Sequence, residues 1–314
     1  MKLSVVIPCY NEEEVLPYTY QRLLDSLLQL IKHKLINDYE IIFVNDASKD
    51  STENIIKNFI RETKGDKGIK LLNLDFNSGH QAAMLAGIES ATGDAIISLD
   101  ADLQDSPEYF EDFIREYKKG NDVVIGVWNN REIESSIKRF FAVNFYRVAK
   151  FLGVPGEKNA GDYRLISKNV QKSILQYPER NLYLRGLIPS MKFKTGIVYY
   201  KRAPRVAGTT KYPFSKSLNL AIDGITSFSI RPLRLVGIVG IIMFIVSMIL
   251  IVYIIYLKLL TDLPIVGWAS TMAAIILFQS INFIFLAVLG EYLGKVYIET
   301  KQRPRYVVKD KINF

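Results

Sequence analysis

The run Asp100-Ala101-Asp102 follows the apolar segment Ala95–Leu99 and leads into Leu103-Gln104-Asp105. Two carboxylates at i and i+2 on an extended chain point to one side. Oxygen donors so placed suit Mg2+ or Mn2+, ions that usually also hold substrate phosphates. A D-x-D run alone occurs by chance in many chains, and a solvated loop end is the plain alternative. What raises it is the apolar strand before it. Asp46 closes a second such segment, Tyr39–Asn45. His80, one of two histidines, reads as a loop hydrogen-bonding residue before it reads as a catalyst. The single cysteine, Cys9, has no basic partner nearby in sequence and reads as a small buried group, not a nucleophile.

These carboxylates need a frame. Leu3–Pro8 is a short buried-strand pattern, and Asn11 with Glu12–Glu14 predicts a helix from there to about Ile31. Tyr39–Asn45 is a second strand, followed by Asp46–Ser51 and a helix to about Lys64. Ile69–Leu74, a helix over Gln81–Ser90 and a strand over Ala95–Leu99 continue the alternation. Such alternation implies a mainly parallel sheet with covered faces. Ligands bind such sheets beyond the carboxyl ends of the strands, where Asp46 and Asp100 fall.

The 314 residues are 49% hydrophobic and 23% charged, with a mean hydropathy of +0.11, which excludes disordered and collagen-like classes. One cysteine excludes an intrachain disulfide and a zinc site built on several thiolates. Leu235–Leu257 and Leu263–Gly290 run for 23 and 28 residues without a charge. About 20 residues cross a bilayer core as a helix. Only Lys258–Asp262 separates them, so the two form a tight hairpin whose flanks share one side. Lys211, Lys216, Arg231 and Arg234 precede it; Lys295, Lys301, Arg303, Arg305, Lys309 and Lys311 follow. The positive-inside rule then places the catalytic region and both termini in the cytoplasm, on a multi-pass protein of the cell (inner) membrane. The N-terminal apolar run is too short for a signal peptide. The expected organisation is a catalytic domain over 1–214, an interfacial amphipathic helix over 215–232, two transmembrane helices over 233–290 and a basic cytoplasmic tail over 291–314.

The formal charge is +8 with a pI near 9.2, which fits nucleic acid, a phosphorylated ligand or a membrane face. The segment Arg185–Arg231 holds nine basic residues and one acid, Asp223, and so carries the whole excess. It reads as a collar for anionic lipid head groups and phosphates. The aromatic and basic stretch Ile133–Leu152 reads as facing lipid or acceptor, and no nucleic acid is expected.

Several segments together are similar to a known family: Val5–Glu13, Val44–Ser48, Asp100–Asp105, Gly161-Asp162-Tyr163-Arg164-Leu165, Gly208–Tyr212 and Arg303–Tyr306. They resemble family 2 glycosyltransferases of GT-A fold. More narrowly they resemble the polyprenyl-phosphate glycosyltransferases: O-antigen glucosyl carrier enzymes, the aminoarabinose transferase and dolichol-phosphate mannose synthase. The resemblance implies an α/β GT-A domain with a Rossmann-like, mainly parallel sheet plus a two-helix transmembrane hairpin. It implies that Pro8, Tyr10, Asn11 and Glu12 line the nucleotide pocket, that Asp46 accepts from the base, and that Asn77-Ser78-Gly79-His80-Gln81 lies beside it. Asp100 would meet ribose or metal, Asp102 the metal, and Gln104 the donor phosphates. Asp162 would face the acceptor with Arg164 beside it, and Arg131, Arg205 and Lys211 would hold phosphates. Implied partners are a nucleotide sugar, a polyprenyl phosphate and anionic lipids, in a homo-tetramer. The Q-x-x-R-W run of processive synthases is absent. Two departures stand out. Only Arg131 remains where many relatives have two arginines, and Ala47 stands where many have glycine.

A lipid phosphate monoester, with a second pKa near 6, is mostly ionised at pH 7 and needs no base to attack an anomeric carbon. In-line attack predicts inversion. Asp162 would then orient the acceptor through Arg164 or the metal, or take the last phosphate proton; a helix N-cap after Gly161 is the structural alternative. The favoured donor is UDP-glucose with undecaprenyl phosphate as acceptor. The alternatives are a GDP-mannose or UDP-aminoarabinose type donor and, in a different class, a non-catalytic nucleotide-sugar-binding partner of a flippase.

Overall fold

The computed structural model describes residues 1–63, 68–129, 151–152, 159–180, 183–203, 224–227, 229–260 and 267–314. Strand β1 (Lys2–Cys9) leads through a loop to α1 (Leu16–Lys32); β2 (Asp38–Asn45), α2 (Thr52–Glu62), β3 (Ile69–Leu74), α3 (His80–Ser90) and β4 (Ala95–Ser98) follow. Helix α1 starts at Leu16, two residues past Glu14, and not at Asn11. Asn11 sits at φ 54°, a left-handed turn out of β1 that no α-helix can contain. From Leu16 on, Tyr20, Leu23, Leu27 and Leu30 recur on one face and are buried.

The eight strands run in the order β7-β5-β6-β4-β1-β2-β3-β8. β4, β1, β2 and β3 are parallel, and β5 (Val123–Trp128) is parallel to β7 (Thr195–Tyr200). β6 (Ala160–Ser167) runs antiparallel between β4 and β5. A 3-10 turn over Pro107–Tyr109 leads into α4 (Phe110–Lys118); α5 (Lys168–Leu175) and α6 (Leu184–Ser190) fill the run between β6 and β7. The core is apolar and shut: Leu3, Ile7, Phe43, Leu71, Ile97 and Phe113 have no exposed surface. Helix α3 lies so close to β1 and β2 that a Cβ on Gly87 would stand 2.3 Å from Val6 Cγ1. That contact sets the depth of the helix whose first residue is His80.

Two long helices, α7 (Arg231–Leu260) and α8 (Trp268–Thr300), form a second unit and pack on each other. Both carry runs long and apolar enough to cross a bilayer, with none of those runs buried. The expected boundaries need correction at the end of the chain. α8 continues to Thr300, and the presumed tail ends in a strand, β8 (Val308–Ile312), antiparallel on the outer edge of β3. Its alternating Val308, Asp310 and Ile312 face inward while Lys309 and Lys311 stay exposed, a pattern that suits an edge strand. The proposed amphipathic helix over 215–232 falls largely outside the described residues.

One buried charge ties the parallel strands together. Glu40 has no exposed surface and accepts from Ser4 Oγ (2.6 Å), Lys70 Nζ (2.9 Å), Thr92 N (2.6 Å) and Thr92 Oγ1 (2.8 Å). Burial alone would raise its pKa, but the bonds from Ser4, Lys70 and Thr92 outweigh that and lower it to about 2. The stabilisation is therefore full above pH 4.5, the unfolded value, and is lost as pH falls toward 2. Glu40→Ala should destabilise the sheet unit by about 3 kcal/mol, because Lys70 is left buried and unpaired. Thermal unfolding of the detergent-solubilised protein checks this: the wild-type Tm should drop between pH 4.5 and 3 while that of Glu40→Gln stays flatter. Equal pH slopes would refute the account.

Candidate active site

The loops beyond β1 and β2 are laced into one floor. Asn11 N donates to Ser48 Oγ (3.0 Å) and Asn11 Oδ1 accepts from Lys49 N (2.8 Å). Glu12 N donates to Thr52 Oγ1 (2.9 Å), and Glu13 Oε2 accepts from Ser51 N (2.9 Å). Pro8 is buried at the end of β1, and Tyr10 stands exposed above this floor. Ala47 holds φ 54°, so an L side chain occupies a left-handed turn where glycine would sit without strain.

Asp46, 3% exposed, clamps the next loop. Its Oδ1 accepts from Ser78 N (2.7 Å) and its Oδ2 from Gly79 N (2.9 Å), while Asn77 Nδ2 reaches its carbonyl. Gly79 at φ 89° makes that turn possible. Burial raises the Asp46 pKa, and the two N–H bonds partly offset the rise. The expected base-contacting carboxylate is thus already holding the loop of Asn77 and Gly79 in place.

Asp100 and Asp102 do not lie on extended chain as expected. β4 stops at Ser98, Ala101 and Asp102 form a turn, and Leu103 takes φ 57°. Asp102 Oδ1 accepts from Gln104 N (3.1 Å), and the Gln104 carbonyl accepts from Ala203 N (3.0 Å). Asp100 Oδ1 is buried without a hydrogen bond, 3.5 Å from His80 Nε2. Among the described residues, the donor atoms that lie within 4.8 Å of one another belong to His80, Asp100 and Asp162; Asp102 is outside that set.

Asp162 lies inside β6, not at a helix N-terminus, so the capping alternative falls. The register that pairs Ser98 with Arg164 brings Asp162 opposite Asp100 when continued. Asp162 is 2% exposed and takes five donors: His80 Nε2 (3.0 Å), Gln81 Nε2 (3.2 Å), Arg164 Nη2 (3.3 Å), Arg185 Nε (3.1 Å) and Arg185 Nη2 (2.9 Å). Burial pushes its pKa up, but the Arg185 charge and then the His80 bond prevail and hold it well below the usual carboxylate range. Burial disfavours the His80 imidazolium, yet the charges of Asp100 and Asp162 raise it to about 9.

Arg164 does not stand free beside an acceptor. It is 4% exposed, with its donors on Gly161 O (2.8 Å), Leu184 O (3.1 Å) and Asp162. Gln81 turns away from the base loop: its Oε1 accepts from Leu184 N (3.1 Å) while its Nε2 reaches Asp162. Two residues absent from the expected site belong to it. His80 has a role beyond its loop, and Arg185, at the start of α6, is brought in from 23 residues beyond Asp162. Only its charge was visible in sequence. Below them, Asp105 is buried, accepts from Tyr200 Oη (2.6 Å) and lies 3.3 Å from Arg202 Nε. Burial raises its pKa to about 6 despite the Arg202 charge. Arg131, Arg205 and Lys211 lie outside the described residues.

Residues 4–173 match the family model for glycosyl transferase family 2. The chain belongs to that family. It is a glycosyltransferase, and its mixed, mainly parallel sheet is the GT-A type of α/β domain. It is 39% identical over 309 residues to an uncharacterized glycosyltransferase, YkoT, of Bacillus subtilis (strain 168), covering 98% of this chain and 90% of that one. It is 38% identical over 310 residues to the prophage bactoprenol glucosyl transferase homolog of Escherichia coli (strain K12), covering 98% and 99%. The bactoprenol glucosyl transferase of Shigella phage SfV is 37% identical over 311 residues, 99% of each chain.

A carboxylate held ionised by five donors does not titrate near neutrality. Asp162→Asn should lower turnover about 100-fold, the scale of removing one preorganised charge. It should do so equally at every pH from 6 to 8. A wild-type acid limb in the pH–rate profile that vanishes in the variant would instead make Asp162 a base.

Proposed function

We propose that the protein transfers a hexose, with UDP-glucose the favoured donor, from a nucleotide sugar to a polyprenyl phosphate at the cytoplasmic face of the membrane. The observation that carries this is the extent of the alignment. The alignments to bactoprenol glucosyl transferases, 38% and 37% identical overall, cover 98% and 99% of this chain, a span too long to leave out either the sheet or the two long helices. Two helices long and apolar enough to cross a bilayer suit an acceptor that is itself held in the membrane. The pairing of β8 with β3 supports the topology, since the chain before the first span and after the second contributes to one sheet.

In this reading Tyr10 lies against the base above the floor of Pro8, Asn11 and Glu12, and Asp46 fixes the Ser78–Gly79 turn that borders it. Asp100 Oδ1, buried without a hydrogen bond and facing only the His80 ring at 3.5 Å among the described residues, fits a divalent cation, which Asp100 and Asp102 would hold. That ion, Mg2+ or Mn2+, would offset the charge of the departing nucleoside diphosphate. No general base is required, because the acceptor phosphate arrives ionised. A locked carboxylate at Asp162 suits that requirement. Attack from the face opposite the leaving group inverts the anomeric centre.

A panel of radiolabelled nucleotide sugars, presented with short polyprenyl phosphates and Mg2+ or Mn2+ to membranes holding the protein, tests the reading. A lipid-linked monophosphate sugar from UDP-glucose is the expected product, and from GDP-mannose or a modified arabinose donor the product would reassign the donor alone. No lipid-linked sugar from any donor would refute the enzyme and leave a non-catalytic partner of a flippase. Removing the cation with EDTA should abolish product formation, and adding Mg2+ back should restore it.

A further inference from the structure

We propose that Arg185 is the residue that grips the phosphate monoester of the lipid acceptor, with Asp162 acting as the anchor that aims it. This rests on the reading above and names the group that meets the acceptor.

The geometry points there in three ways. Arg164 and Arg185 share one carboxylate, Asp162, so one of the two guanidinium charges is unmatched within the trio. Arg164 is closed in, with its side chain 5% exposed and its donors on backbone carbonyls and Asp162. Arg185 is 35% exposed, and the two bonds to Asp162 use its Nε and Nη2 edge. Among the described residues its Nη1 has no hydrogen bond in the structure. A guanidinium pinned along one edge keeps its remaining N–H groups in a fixed plane, the arrangement that suits bidentate capture of phosphate.

Position along the sheet separates acceptor from donor. The loop that Asp46 holds follows β2, Asp100 follows β4, and Asp162 lies on β6, the next strand over. A nucleotide sugar with its base by Asp46 and its diphosphate by Asp100 directs its sugar toward β6. Arg185 therefore stands past the diphosphate, where the attacking phosphate must approach. Helix α6 is fixed there by Gln81, which bonds both Leu184 N and Asp162.

The two possible sources of phosphate, acceptor monoester and donor diphosphate, are separated by binding measurements on the full-length protein in detergent. Farnesyl phosphate, farnesol, UDP and GDP serve as probes for wild type, Arg185→Gln and Arg185→Lys. Wild type should bind farnesyl phosphate at least tenfold tighter than farnesol. Arg185→Gln should lose roughly tenfold to a hundredfold of that preference, the scale of a charge-assisted bond pair, while nucleotide affinity stays within twofold. Arg185→Lys should recover part of it, since the charge returns without the fork. Retained nucleotide binding also shows that the variants fold. If Arg185→Gln does not fold by near-UV CD, Arg185→Lys carries the comparison, with a several-fold loss of the preference expected. Full preference in the folded variants overturns the proposal, as does a loss that falls on UDP or GDP instead. No preference in wild type would overturn the lipid-phosphate acceptor itself, a different failure.

Discussion

Burying an ionised carboxylate without compensation costs several kcal/mol, and the cleft of this protein is arranged around avoiding that cost at Asp162. Its partners come from three separate elements: Arg164 from β6 itself, His80 and Gln81 from the first turn of α3, and Arg185 from α6. None of these elements can shift without leaving the charge exposed to an apolar interior. The close seat of α3 at Gly87 then has a purpose, because it fixes how far His80 and Gln81 reach. Each partner removed takes one donor from a buried charge, which is why the site and the packing beneath it are a single problem.

The same logic divides the carboxylates by role. Asp162 and Asp46 both have their oxygens filled by protein donors and serve to hold other groups still. Asp100 has an oxygen that no protein donor fills. A cation or a ligand hydroxyl has a reason to go there and little reason to go to the other two. Asp105 is different again, buried beneath Tyr200 and Arg202 and raised to about 6, a structural charge near the edge of protonation.

The first half of the sheet was legible because its strands are continuous apolar runs: Tyr39–Asn45, Ile69–Leu74 and Ala95–Leu99 become β2, β3 and β4 with shifts of a residue or less. Three of the motif segments, Val5–Glu13, Val44–Ser48 and Asp100–Asp105, lead to the cleft because they lie at or just beyond the ends of β1, β2 and β4. What local pattern does not encode is pairing over distance. β8 reads as Val-Lys-Asp-Lys-Ile, a charged tail to any windowed view, and becomes a strand only against β3, more than 230 residues earlier. For Asp162 the sequence left a helix cap after glycine open beside the acceptor-facing role, and the cap falls because β6 inserts antiparallel beside β4 and places the residue in a strand. Arg185 sits in Asn-Leu-Tyr-Leu-Arg-Gly, which carries no signature, and the bonds that tie Leu184 to Gln81 and Arg164 bring it to the site.

The closing strand also sets an order of assembly. A ribosome releases β8 only after α7 and α8. Until then the outer edge of β3 is an unpaired row of backbone donors and acceptors, open to pairing with any other extended chain. The sheet thus completes itself only once the long apolar helices have left the exit tunnel. A nascent chain stalled before β8 would carry every other strand of the sheet and still present the unpaired edge of β3.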